Sequence, residues 1–406
     1  MRIRTIAIGF SLSIDDFASV EKISMKIKHH ANILHDVERV LKEHGYEVMN
    51  KQITLNSFEH WLPCQDIHPG NDCQYDISQM NDAIDMLVEE LHINDIKCCS
   101  IGGISSSNAL EIVPHIIRRS TCIHIGCSLD CADNDLTQVA AETLLELAQD
   151  TPDDNEPSTL TGGRFALAFN CPANAPHPSI SYHPQGAPTC LTVALECGDL
   201  LFLAFHGVTD FTIAAENLTS AYRQMLTPIN AILEDICCAS GIGYGGIDPS
   251  MTPGSELYDS VALGLEQLPP YRFGARGSMQ IAATVNQALQ QLMTSSPYLK
   301  LCGLNGLILS PLTDIVLARR CVESADVAAG VHFPTIDPPR RPALSPPQPP
   351  PVTFTLRDVI GLVGVCGGGL DWAPVCGDEF TAESLSAVLM DLKGLTRSSK
   401  KPLFCR

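Results

Sequence analysis

Strand-like and helix-like segments alternate along this chain, and that alternation confines it to an α/β architecture. Residues 3–12, 48–55, 98–101, 121–127, 165–170, 191–196 and 244–247 read as strands, with a short one at 308–309. Residues 16–44 carry Val20, Ile23, Ile27, Leu34, Val37 and Leu41 at helical spacing and stop at Gly45, so they read as a helix. Further helices are expected over 77–91, 107–119, 136–148, 278–293, 314–323, 356–363 and 382–395. Residues 214–236 form the longest, with a kink expected at Pro228. A polar stretch over 151–163 reads as a loop, and the Pro-rich stretch 338–351 as an inserted surface loop. The expected organisation is a single large α/β domain over 1–406.

Charge narrows the partners. The chain has 46 acidic residues against 26 Lys and Arg, a formal net charge of -20. Such a surface repels phosphate backbones and anionic lipid, so no nucleic acid or membrane partner is expected. The N-terminal apolar run is short and soon meets Asp15 and Asp16, so it reads as a buried strand rather than a leader. Seventeen cysteines, an odd number in a long chain, read as reduced thiols packed like small hydrophobes. A cytoplasmic location follows as the expectation.

Known motifs fit poorly. Gly241-Ile242-Gly243-Tyr244-Gly245-Gly246 has the spacing of a dinucleotide loop, but a helix precedes it where the chemistry needs a strand. It reads as a helix-to-strand turn. Cys122, His124, Cys127 and Cys131 lack the spacing of a zinc knuckle. No Walker loop, nucleophile elbow or zinc-protease helix is present, so neither a cofactor nor a metal is expected.

The polar residues that stand in glycine-rich or proline-rich turns are the candidate site. Cys366 precedes Gly367-Gly368-Gly369, with Asp371 close behind. His183 lies in Tyr182-His183-Pro184-Gln185-Gly186, Asp248 just before Pro249, and Asn305 in Gly303-Leu304-Asn305-Gly306. In a catalytic reading Cys366 is a thiol nucleophile or proton donor, His183 a general acid/base, and Asp248 or Asp371 an orienting carboxylate. Gly102, Gly103 and Gly277 would offer backbone amides to a ligand, with Ser105, Ser278 and Asn305 alongside. Turn formation and helix capping explain the same residues without any ligand.

Taken in order, several segments resemble domain-of-unknown-function family 711, also called uncharacterised protein family 0210. They are Ile3-Arg4-Thr5-Ile6, Ile101-Gly102-Gly103-Ile104-Ser105, His124-Ile125-Gly126, Tyr182-His183 with Gly186, and Gly246-Ile247-Asp248-Pro249-Ser250. Phe273-Gly274 with Gly277-Ser278, Gly303-Leu304-Asn305-Gly306, and Cys366-Gly367 with Gly369-Leu370-Asp371 complete the set. The resemblance implies a barrel-like α/β fold similar to pyruvate formate-lyase and other glycyl-radical enzymes, and a homodimer. It does not imply their reaction, because no glycyl-radical motif lies near the C-terminus. Two functional expectations follow. One is an enzyme of unknown reaction with a thiol and a histidine inside a barrel, acting on a small-molecule ligand. The other is a non-catalytic, self-associating protein on an enzyme-like scaffold.

Overall fold

A computed structural model describes residues 2–62, 64–65, 74–129, 134–148, 161–169, 171–254, 256–273, 277–309, 314–326 and 352–355. The helices expected over 356–363 and 382–395, the Pro-rich stretch 338–351, Cys366 and Asp371 lie outside the described residues. The strands are β1 (Arg2–Phe10), β2 (Glu47–Val48), β3 (Lys51–Leu55), β4 (Cys64–Gln65), β5 (Gln74–Tyr75), β6 (Cys98–Ser100), β7 (Ile123–Ser128), β8 (Phe165–Phe169), β9 (Cys190–Leu195), β10 (Gly243–Asp248) and β11 (Val352–Thr355). The α-helices are α1 (Val20–Glu43), α2 (Ile77–Ile93), α3 (Ser107–Arg119), α4 (Asn134–Ala148), α5 (Gly198–Phe205), α6 (Phe211–Ser240), α7 (Val261–Leu265), α8 (Ser278–Ser295) and α9 (Ile315–Asp326).

One mixed sheet organises the chain, in the order β10-β9-β1-β3-β6-β7-β8-β11, with β2 also paired to β1. From β1 to β8 the neighbours run parallel. The direction reverses at β9, which pairs antiparallel with β1, while β10 runs parallel to β9. The sheet is open: among the described residues β10 and β11 do not pair. The α/β class therefore holds, and the expected barrel closure is not seen. Residues 308–309, expected as a strand, form none, and the preceding Leu307 makes an isolated bridge to Met251. No helix among the described residues is long and apolar enough to cross a membrane.

Side chains alternate across a strand, so residues in register share a face. One face of this sheet is large and apolar, with Ile8, Ile53, Cys99, Ile123, Ile125, Phe165, Leu191 and Val193. These residues join one buried core with the inward stripe of α1, made of Ile23, Ile27, Leu34, Val37 and Leu41. Each such side chain, fully buried, contributes about 1.5–3 kcal/mol of transfer free energy.

The other face is built from small and polar residues. In register across the sheet run Ala194, Thr192, Ala7, Gly9, Gln52, Thr54, Ser100, His124, Gly126 and Ala166. The segment 171–188 lies over this face as a strap and hydrogen-bonds it strand by strand. Thr192 Oγ1 donates to Asn174 O at 2.9 Å, and Ser100 Oγ to Pro178 O at 2.6 Å. Thr54 Oγ1 meets Ser181 Oγ at 3.0 Å, and His124 Nδ1 meets Ser179 Oγ at 3.1 Å. Large side chains here would push the strap off its donors and acceptors.

Gly9 shows how close that approach is. A Cβ there would overlap Asn174 Oδ1 and stand 2.6 Å from His183 Nδ1. Gly9→Ala is therefore expected to destabilise the fold by about 1–3 kcal/mol through overpacking, read as a lower denaturant midpoint. An unchanged midpoint would show that the strap is not held as described.

Candidate functional site

Asp248 ends β10, where the strap and the 303–306 turn converge on it. Its side chain is buried, with residue exposure of 1%. Oδ2 accepts from His177 Nε2 at 2.9 Å and from the Leu304 N–H at 2.9 Å. Oδ1 accepts from the Ser250 N–H at 2.9 Å, Ser250 Oγ at 2.6 Å and the Asn305 N–H at 3.3 Å. Burial works to raise the carboxyl's pKa, but the hydrogen bonds from His177, Ser250 and Leu304 outweigh it and hold it below the ordinary aspartate value. Asp248 is thus a buried carboxylate rather than a buried acid.

Local backbone makes that crowding feasible. Gly303 has φ +74, and a Cβ there would overlap Asp248 Oδ2, so only glycine brings the turn this close. Beneath the turn, the Tyr222 hydroxyl of α6 donates to Pro249 O at 2.6 Å and fixes the chain leaving β10.

His177 gives the site its chemical potential. It sits on the strap between Pro176 and Pro178, with its side chain 13% exposed. Its Nε2–H is committed to Asp248, which sets the tautomer and leaves a lone pair on Nδ1. No described residue hydrogen-bonds Nδ1. An imidazole oriented by a buried carboxylate, with its second nitrogen unused, is the arrangement that general acid–base catalysis requires.

The residues named from sequence fall in several places. Asp248 and Asn305 meet directly, through the Asn305 N–H. His183 takes no part in that pair. It is 1% exposed, with Nδ1 2.9 Å from Asn174 Oδ1 and Nε2 3.0 Å from Ala187 O. Burial lowers its pKa, against the opposing pull of Ala187 O. Both ring nitrogens are engaged within the chain, so His183 secures the strap.

Gly102, Gly103 and Ser105 lie together between β6 and α3. Gly102 and Gly103 pack against Gly126 and Tyr182 respectively, and the Gly103 N–H bonds Gly126 O at 2.8 Å. The Ser105 N–H already donates to Glu59 Oε2 at 3.2 Å, and Ser106 Oγ donates to Glu59 Oε1 at 2.5 Å. A carboxylate of this chain therefore occupies the start of α3, where backbone amides were expected to meet a ligand. Gly277, at φ +105, precedes α8, and Ser278 opens that helix. Neither is a hydrogen-bond partner of Asp248.

Sequence reasoning missed His177, Ser250 and Glu59. The flanking prolines were the available signal for His177, since they restrict the backbone on both sides of the ring.

Residues 1–326 match a family described as Uncharacterised ACR (DUF711). That span holds His177, Asp248 and Asn305 and ends before Cys366. The chain is similar to a UPF0210 protein of Desulforamulus reducens, 23% identical over 408 residues, covering 96% of this chain and 81% of that protein. A UPF0210 protein of Listeria monocytogenes serovar 1/2a is also 23% identical, with the same shares of 96% and 81%. A UPF0210 protein of Pyrobaculum arsenaticum is 24% identical over 250 residues, covering 60% of this chain and 48% of that protein. With a family match over most of its length, the chain belongs to the DUF711 family.

Proposed function

We propose that this chain is an enzyme of general acid–base chemistry, with His177 as the proton-transferring group and Asp248 as its orienting carboxylate. The carrying observation is the buried Asp248 carboxylate, which receives five hydrogen bonds and gives one oxygen to His177 Nε2 at 2.9 Å. When Nδ1 takes a proton, the imidazolium is balanced by the carboxylate already in contact with Nε2. Asp248 itself stays ionised throughout.

Cys366 and Asp371 keep their roles as thiol and second carboxylate within this proposal. Ten cysteines among the described residues are free thiols, which fits a reducing compartment such as the cytoplasm.

Proton exchange tests the proposal without a known substrate. The purified protein is incubated in D2O with a panel of amino, hydroxy and keto acids and sugar phosphates, and C–H signals are followed by NMR. The wild type is expected to exchange or convert a panel member, and His177→Gln to lower that rate about 100-fold or more. A His177→Gln protein as active as wild type ends the assignment.

Self-association is the second reading, and one observation favours it. Helix α5 is apolar throughout its Leu200–Phe205 run, yet Leu203 is 72% exposed. A helix apolar on all sides is normally covered. A sedimentation mass of one chain would remove this reading.

A further inference from the structure

Helix α5 turns an apolar face to solvent. Asp199, Phe202 and Leu203 stand three and four residues apart and share that face, which His206 continues at the helix end. The Phe202 ring stacks on His206 with centroids 5.4 Å apart and meets Tyr258 edge-on at 5.9 Å. Leu203, Leu257 and Tyr258 are all exposed. The 257–258 pair therefore extends the apolar face beyond the helix. Contiguous exposed apolar surface of this kind marks a place where another segment docks.

The same two segments line a cavity of about 230 Å³, walled by Arg2, Glu196, Asp199, Glu256 and Asp259. Close backbone packing joins cavity and apolar face, since a Cβ on Gly198 would overlap Asp259 O. Arg2 is spread over Asp259, Glu47 and Glu196, at 3.0, 3.5 and 3.8 Å. Four carboxylates thus share the cavity wall with one guanidinium. Burial raises the carboxyl pKa of Glu196 and of Asp199, and the nearby Asp259 charge raises both further. A second copy presenting this same face would set these carboxylates against their own kind. The complementary occupant is a segment both cationic and apolar.

The chain carries such a segment. Residues 397–406 hold Arg397, Lys400, Lys401 and Arg406, no Asp or Glu, and the apolar pair Leu403-Phe404. The Pro-rich stretch 338–351 also has two arginines but no aromatic residue. Between Thr355 and Arg397 the chain, at up to about 3.3–3.6 Å per residue, is long enough to reach any face of the domain. We propose that residues 397–406 dock in cis on the α5 face, with Lys400 and Lys401 at the cavity carboxylates and Leu403 and Phe404 against Phe202, Leu203 and Tyr258. The inference goes beyond the acid–base reading of His177 and does not rest on it. It gives the α5 face an occupant other than a second copy.

Carbodiimide cross-linking joins an amine to a carboxylate only where the two touch. It is applied to the full chain, mixed from equal parts of isotopically light and heavy protein, and the links are read by mass spectrometry. Lys400 or Lys401 is expected to join Glu196, Asp199, Glu256 or Asp259, with both halves of each link carrying the same isotope. Glu256→Gln with Leu203→Ser alters two exposed positions, and circular dichroism verifies that the variant is folded. That variant is expected to lower the yield of links to Glu196, Asp199 and Asp259 about fivefold or more, through one lost ion pair and one lost apolar contact. The proposal is overturned if neither lysine links to these four carboxylates, if the links join light chains to heavy ones, or if the folded variant links like wild type. Light-to-heavy links would instead favour self-association through this face.

Discussion

Asp248→Ala is expected to lower the stability of the fold by about 3–5 kcal/mol and to abolish any proton-transfer activity. The loss is large because the carboxylate is a hub. Removing it strands the buried Ser250 N–H and the partly buried Leu304 N–H, Asn305 N–H and His177 Nε2 at once. Each buried, unpaired donor costs about 1–3 kcal/mol, although neighbouring losses do not add in full. Against a typical total of about 5–15 kcal/mol, such a change removes a large fraction of the stability. Urea denaturation measures it, and a double-mutant cycle with His177→Ala isolates the pair. A coupling of about 0.5–3 kcal/mol is expected between the two positions. A coupling near zero would mean that the 2.9 Å contact carries no energy and that Asp248 does not orient the ring.

Periodicity explains how much of this architecture was legible. Helix α1 emerges from the sequence because its buried residues recur at helical spacing, and strands β1, β3, β7 and β9 because they are short, almost continuously buried runs. The 241–246 glycines were correctly read as a helix-to-strand junction: Gly241 closes α6 at φ +67, and β10 starts two residues later. Helix α5 escaped because its run Leu200–Phe205, set off from β9 by Glu196 and Asp199, is apolar throughout and has no polar face to mark a helical period. The antiparallel turn of β9 has no local signature, since strand direction is set by what the chain packs against. Strand β11 also went unrecognised: Val352–Thr355 pairs antiparallel with β8.

The site was half legible for a related reason. Asp248 and Asn305 announce themselves through adjacent turns, and the structure joins them. His177 meets Asp248 across 71 residues of chain, and no spacing rule reaches that far. His183 drew attention through Gly186, yet its ring is used up by Asn174 and Ala187. The small residues of the sheet face were visible as an alternation in each strand. Their shared purpose, room for a hydrogen-bonded strap, appears only when the strands stand in register.

Acid is expected to weaken the fold, and two buried histidines are the reason. His30 stacks on Phe10, with ring centroids 3.6 Å apart and 7° between planes, and is 7% exposed. Burial lowers its pKa to about 4, against the raising effect of the Lys26 carbonyl, while Lys26, His29 and His183 add small lowering contributions. His183, lowered chiefly by burial, behaves in the same sense. Unfolded histidine titrates near about 6.5, so below that pH the unfolded chain binds protons that the folded chain refuses. Stability is therefore fully present above about pH 6.5 and declines as pH falls toward about 4. For His30 alone the decline reaches ~3 kcal/mol, at about 1.4 kcal/mol per pH unit. Asp248 does not contribute in this window, because its lowered pKa confines its loss to more acidic solution. Urea midpoints at about pH 7 and about pH 5 measure the slope. His30→Leu is expected to flatten the slope and His30→Leu with His183→Leu to flatten it further, whereas a slope unchanged in both variants would assign the acid sensitivity to other groups.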